Sequence, residues 1–283
     1  MNINFEKDVR TYTELVEPLL LKNEACNNLM LGILNRIAEG DAPYNDVNFG
    51  YVVEDGEVIY AFMQTPPNNW IFPDLDSVTE DVPRKIAAFL HHKKVNVPGV
   101  LGPDYLVKPF VEKWGNLHDV TSNIHMRQLV YQLDAVNEVP PASGELVAAD
   151  EQYHQLISDW LIQFGVEADE PITRQGADKL AAQFFKNRSV YLWMVDGKPV
   201  SMVNRSRRTK NGATINAVFT PDAYKRNGYA TSSVAALSTK LLKDGVQFCS
   251  LYTDEDYPTS NRIYKKIGYY QVGSSVVYEF NRK

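Results

Sequence analysis

Two hydrophobic patterns alternate along this chain, and their order predicts its strands and helices. Each half carries an apolar β-prone run, an Asp-Gly pair and a second apolar run, at residues 49–63 and 190–203, which is the pattern of a β-hairpin. Apolar positions at helical spacing predict helices, and apolar runs close to the end of each half predict further strands. The predicted helices cover residues 26–37, 78–92, 153–164, 177–185 and 231–243, and the predicted final strands cover residues 126–133 and 276–280.

A segment rich in Pro, Gly and Ser separates the two halves. It spans residues 137–144 and predicts a linker between a domain of residues 1–136 and a domain of residues 145–283. The halves share their layout of helices and strands, which indicates an internal repeat with a period of about 140 residues. Chance similarity between two hairpins is the alternative interpretation.

The connection between residues 213–219 and 231–243 is the most informative segment. An apolar β-prone run is followed by a short turn that contains Gly228, and then by a helical pattern. Such a turn directs main-chain N–H groups outward at a helix N-terminus, where they favour a phosphate. The corresponding turn in the first half, residues 81–88, has no glycine, and a turn without glycine resists close approach of a pyrophosphate. We therefore expect one phosphorylated cofactor per chain.

Two motifs in the second half resemble the GNAT superfamily of acetyl-CoA-dependent N-acetyltransferases. They are residues 218–230 and, about 30 residues later along a strand–helix pattern, residues 258–269. Residues 145–283 resemble one such domain, and the first half resembles a degenerate domain, as in tandem members. The resemblance implies an α+β fold of two GNAT-like domains, each a mixed, mostly antiparallel sheet flanked by helices.

By this resemblance, acetyl-CoA is the acetyl donor, and the loop before the helix holds its pyrophosphate through backbone amides. Lys225 stands where the family has Arg or Gln, so the charge is kept and the planar fork is lost. Residues 218–220 are implied to pair with the pantetheine arm as an added strand. The implied cofactor-binding residues are Val218, Phe219, Thr220, Lys225, Arg226, Asn227, Gly228, Tyr229, Ala230, Thr231, Asn261 and Tyr264.

Tyr264 is the implied catalytic residue. Asn261 and Tyr264 are three apart on a predicted helix and share a face. In the family, the Asn binds the cofactor and the Tyr acts as general acid toward the leaving thiolate, whose pKa of ~8.5 is comparable to ~10 for a phenol. A tyrosine that packs in the core is the alternative.

No general base is assigned. Residues 214–217 hold no carboxylate, whereas two acidic groups lie elsewhere: Asp254, Glu255 and Asp256, and Glu167, Asp169 and Glu170. The first group could remove the proton from the amine, but a solvated acidic loop is the favoured interpretation; the second group could attract a cationic amine or simply be exposed. The predicted function is acetyl transfer to a primary amine, of a small molecule or a peptide, by direct attack in a ternary complex. The missing carboxylate motivates an alternative, a non-catalytic acyl-CoA sensor, and a scaffold whose first half pairs chains into a homodimer is a third.

The composition and the net charge restrict the kinds of partner and the cellular location that we expect for this protein. The net charge of −6 and the pI of about 5.5 argue against nucleic-acid and membrane partners. The sequence shows no apolar run that could span a bilayer and no signal-peptide pattern. Cys26 and Cys249 are interpreted as buried reduced thiols, so a cytoplasmic location is expected.

Two further groups of side chains have the chemistry of a metal site or an anion site. The histidines, at 91, 92, 118, 125 and 154, are interpreted as surface or scattered residues, and no metal site is expected. The basic cluster at residues 205–210 is interpreted as a charged hairpin tip, with contact to the CoA 3′-phosphate or an acidic substrate as the alternative.

Overall fold

The computed structural model describes residues 1–40, 46–75 and 78–282, and these form eight α-helices and twelve β-strands. The chain divides into two compact units. The first comprises Met1–Val130, Tyr252–Tyr257 and Gln271–Lys283, and the second comprises Tyr131–Leu251 and Pro258–Tyr270. Both units are discontinuous in sequence, unlike the continuous domains predicted at residues 1–136 and 145–283.

The first unit is built on a sheet with strand order β1-β2-β3-β4-β5. Its pairs are antiparallel except for the parallel pair β4–β5, and the C-terminal strand β12 adds antiparallel to β5. Its elements are β1 (Asn2–Glu6), α1 (Val9–Leu20), α2 (Asn28–Ala38), β2 (Asn48–Glu54), β3 (Glu57–Gln64), β4 (Trp70–Ile71), α3 (Asp81–His92), β5 (Gly99–Gly102), α4 (Asp104–Leu117) and β6 (Val120–Leu133).

Two apolar layers cover this sheet. Apolar residues of α1 and α2 pack against Phe49, Ala61 and Met63 on one face, while α3 and α4 pack against Tyr60 and Phe62 on the other. Alternating side chains of β3 therefore enter opposite layers, as the two-residue period of a strand requires.

The second half of the chain repeats the same order of elements. It runs through β7 (Glu145–Ala148), α5 (His154–Glu167), α6 (Arg174–Lys186), β8 (Val190–Val195), β9 (Lys198–Arg208), β10 (Gly212–Phe219), α7 (Tyr229–Lys243), β11 (Phe248–Asp254), α8 (Pro258–Ile267) and then β12 (Tyr270–Arg282), which belongs to the first unit from Gln271 onward. The strand order is β11-β10-β9-β8-β7, antiparallel except for β10–β11. Helices α5 and α6 share a buried core with β8–β10, and α7 contacts β8, β9 and β10. The two halves thus carry the predicted repeat of elements.

The predicted mixed, mostly antiparallel α+β fold is confirmed, and one burial prediction is wrong. Cys249 is buried, and burial raises its pKa to about 12. Cys26 is only half-buried; it lies in the turn that precedes α2 rather than in the apolar face of a helix or strand. Within the described residues, no helix combines the length and the apolar character needed to cross a membrane.

Candidate functional site

A β-bulge bends strand β10 shortly before the predicted cofactor loop. Asn216 lies opposite Asn204 of β9, and the next matched position is Phe219 opposite Met202. Between these two matched positions, β10 has Ala217 and Val218 whereas β9 has only Val203, so β10 carries one extra residue. Ala217, within the bulge, has a φ of 47°, which is costly for a residue with a Cβ. The surrounding structure must therefore hold it in place.

Buried hydroxyl groups fix the end of β10. The Ser201 hydroxyl donates to the carbonyl oxygen of Phe219 at 2.9 Å and accepts from the Thr220 hydroxyl at 2.9 Å. The side-chain amide of Asn204 donates to Asn216 Oδ1 at 2.8 Å. Ser201 and Asn204 are buried, so these bonds form where water does not compete with them.

The parallel pairing of β10 with β11 covers only the first residues of β10. That register joins Gly212–Thr214 to Phe248–Ser250, whereas β10 continues to Phe219. Val218 is half-buried in the bulge, outside the matched positions with β9. The edge of β10 beyond Thr214 is where we expect a ligand to bind as an additional strand.

Gly228 begins helix α7 in the left-handed conformation. Its φ is 80° and its ψ is 4°, and no side chain caps the helix at this residue. The N–H of Ser232 donates to the Gly228 carbonyl at 3.0 Å, so the N–H groups of the residues between them lie in the first turn, where a helix leaves its donors unsatisfied. The first turn carries no acidic residue. This helix start therefore suits an anion.

The rest of the loop is organised by its own contacts. The Asn227 side-chain amide donates to the carbonyl oxygens of Tyr224 and Lys225, both at 3.1 Å. Arg226 is exposed and has a φ of 65°. A Cβ placed on Gly228 would meet only the Ala142 Cβ, at 3.8 Å. The space directly in front of the Gly228 main chain is thus open, and an open main chain at a helix N-terminus fits the predicted pyrophosphate.

Lys225 is already engaged by two carboxylates. Its Nζ lies 2.6 Å from Glu167 Oε1 and 2.7 Å from Asp222 Oδ1. The hydrogen bond to Asp222, followed by that to Glu167, raises the pKa of Lys225. Glu167, for which the sequence predicts either attraction of a cationic amine or simple exposure, ties the end of α5 to the loop through this contact.

Asn261 and Tyr264 lie on α8, and both are buried. Burial raises the pKa of Tyr264 to about 12, so its hydroxyl keeps its proton throughout the physiological range. The ring lies against Tyr131 and Tyr269, with centroid distances of 6.4 and 5.9 Å. Tyr131 Oη is buried and has no hydrogen-bond partner among the described residues. The tyrosine on α8 thus has the protonation state that a general acid needs.

The linker takes part in the second unit, which its sequence did not indicate. The N–H of Ala142 donates to the Ser232 hydroxyl at 2.8 Å, and Trp193 Nε1 donates to the Ser143 carbonyl at 2.9 Å. A groove of about 330 Å³ lies between the linker and α7. On the α7 side, the groove is lined by small residues, namely Ser232, Ala235, Ala236 and Thr239. In the sequence, only the helical spacing of these residues indicates that they share a face.

Comparisons with known proteins agree with this geometry. Residues 173–277 match the family model described as FR47-like protein. The fold matches a GCN5-related N-acetyltransferase from Sphaerobacter thermophilus (TM-score 0.63, 10% identity, 99% of this chain and 96% of that chain). It also matches an acetyltransferase from the GNAT family of Colwellia psychrerythraea (TM-score 0.61, 10% identity, 99% and 100%). No curated protein matches this chain in sequence.

The tandem arrangement is found among these structures. A tandem GNAT protein from the clavulanic acid biosynthesis pathway has a TM-score of 0.62 at 14% identity, over 99% of this chain and 98% of that chain. The predicted resemblance to the GNAT superfamily is thereby confirmed at the level of the fold, including its layout in two successive halves. At these identities the likeness establishes the fold, whereas the roles of the individual residues stay predictions.

Proposed function

We propose that this protein is an N-acetyltransferase that moves an acetyl group from acetyl-CoA to a primary amine. The observation that carries the proposal is the start of α7: Gly228 in the left-handed conformation, with unsatisfied N–H groups behind it, directly after the bulged strand β10. The GNAT fold of the matched acetyltransferases supports the same reaction class.

Each part of the site has a separate task in this proposal. The N–H groups of the first turn of α7 bind the pyrophosphate, and the main chain around Val218 aligns the pantetheine arm. When bound, acetyl-CoA supplies a thioester that a neutral amine attacks, with loss of the thiolate. Tyr264 holds a proton at Oη and would donate it to that sulfur, while the acylated nitrogen would release its extra proton to solvent water, from which Tyr264 is reprotonated. Because its pKa is raised by burial to about 12, Tyr264 is protonated throughout the physiological pH range, in which a fraction of the amine is neutral.

A thiol-release screen with acetyl-CoA and a panel of small-molecule and peptide amines tests the proposal. We expect release with at least one amine, and calorimetry should give one CoA per chain. Binding without release for every amine supports the alternative, an acyl-CoA sensor. Absence of CoA binding contradicts both functions.

A further inference from the structure

Two histidines that lie far apart in the sequence meet in the first unit. His91 is in the last turn of α3, and His118 directly follows α4. Their ring nitrogens, His91 Nδ1 and His118 Nε2, are 3.0 Å apart. Because α3 packs along α4, the two helices bring these rings to one end of the pair.

A buried aromatic residue fixes the position of His118. The Trp114 ring stacks on the imidazole at a centroid distance of 3.9 Å, with an angle of 29° between the planes. Trp114 is itself 4% exposed and stacks on Phe110. His118 therefore rests on the apolar core, while His91 is exposed and leaves an open approach from solvent.

The separation of the two nitrogens is suited to a shared metal ion. With metal–nitrogen bonds of about 2.0–2.1 Å, two imidazoles at a right angle have nitrogens about 2.9 Å apart, whereas a tetrahedral angle requires about 3.4 Å. The observed 3.0 Å is close to the right-angle value. Adjacent ligands at a right angle are typical of square-planar and octahedral Cu²⁺ and Ni²⁺ sites.

A metal ion binds the neutral form of each imidazole. The described residues hold no group of three or more His, Cys, Asp or Glu that could share an ion. Water would thus complete the coordination.

We propose that His91 and His118 form a binding site for a divalent transition-metal ion, Ni²⁺ or Cu²⁺, at the ends of α3 and α4. The site uses none of the residues assigned to acetyl transfer, so the test of metal binding does not depend on the proposed function. A hydrogen bond between the two rings is the arrangement in the absence of metal.

Titration of the full chain with Ni²⁺ tests the site. At about pH 7.5, where free histidine is mostly neutral, calorimetry should give one Ni²⁺ per chain. The fluorescence of Trp114 should fall in parallel, since its ring stacks on a ligand. Loss of an outer-shell partner already weakens metal binding about 10–100-fold, so we expect His91→Asn and His118→Gln each to weaken it by at least about tenfold.

His125→Gln is the matched control, because His125 is an exposed histidine on β6, and this variant should bind Ni²⁺ as the wild type does. The His91→Asn variant changes an exposed side chain, so a folding defect does not confound it; thermal unfolding verifies this for His118→Gln. Unchanged affinity in His91→Asn overturns the proposal. So does an equal loss in His125→Gln, or the lack of saturable binding below about 1 mM Ni²⁺, a free energy of about −4 kcal/mol.

Discussion

Replacing Gly228 with alanine separates the backbone role of this residue from its role in binding. Gly228 has a φ of 80°, and an L-residue in the left-handed region costs about 1–2 kcal/mol. The added methyl group would meet only the Ala142 Cβ, at 3.8 Å, an ordinary contact. The cost is therefore strain without a clash, and the melting temperature should fall by roughly 2–6 °C.

The same substitution should weaken CoA binding. A methyl group at this position keeps a pyrophosphate away from the main chain, and relaxation of φ turns the N–H groups of the first turn aside. Loss of one hydrogen bond to a charged group corresponds to about 1.5–3 kcal/mol, so we expect the dissociation constant from calorimetry to rise at least about tenfold.

Gly197→Ala is the matched control for this experiment. Gly197 lies in the β8–β9 hairpin with a φ of 73°, and a Cβ there has no atom within 4 Å. It should lose as much stability as Gly228→Ala and retain its CoA affinity. If both variants melt alike and both bind CoA normally, α7 does not hold the pyrophosphate. If Gly228→Ala melts like the wild type, the left-handed helix start is not required.

Three further predictions concern the rest of the second unit. Tyr264→Phe should lower kcat by about 10²-fold or more, and unchanged turnover removes Tyr264 from the role of general acid. Because burial raises the pKa of Tyr264 to about 12, a pH–rate profile of the wild type should show no loss of this proton at about pH 8–10; an alkaline fall there that is absent in the variant contradicts the raised pKa. Ser201→Ala leaves the buried Thr220 hydroxyl unpaired and should destabilise the protein by about 1–3 kcal/mol in urea unfolding, with Thr220→Val in the same chain recovering part of the loss. Glu167→Gln removes one partner of Lys225 and should tighten CoA binding by up to about fivefold, the range of an exposed ion pair; weaker binding contradicts competition for Lys225.

The sequence was sufficient for the features that depend on local chemistry. The hairpin signals, the helical periods and the glycine of the β10–α7 connection each act within a few residues, and each predicted element is present. The repeat could be predicted from the same patterns, because it consists of the same order of helices and strands in each half. These features need no knowledge of which segments meet in space.

Features that depend on distant partners did not follow from the sequence. The bulge at Ala217 is held by hydroxyl and amide groups of β9. An alanine in a sequence does not predict a positive φ, so the bulge could not be predicted. The assignment of the C-terminal strand to the first unit depends on a register that opposes Val276 to Gly102. Likewise, nothing in the spacing of His91 and His118 indicates that two helix ends will bring them together.

The contacts of Lys225 change how the loop should recognise its ligand. Lys225 and Arg226 supply two positive charges, and Glu167 and Asp222 offset them. Asp222 and Glu167 occupy two of the three donors of the ammonium group and offset its charge, so Lys225 attracts a pyrophosphate less than a free lysine would. Recognition of the pyrophosphate therefore depends mainly on the main-chain donors at the start of α7, whose direction is fixed by the backbone. This places the requirement on Gly228, the one residue of the loop for which the left-handed conformation carries no steric cost.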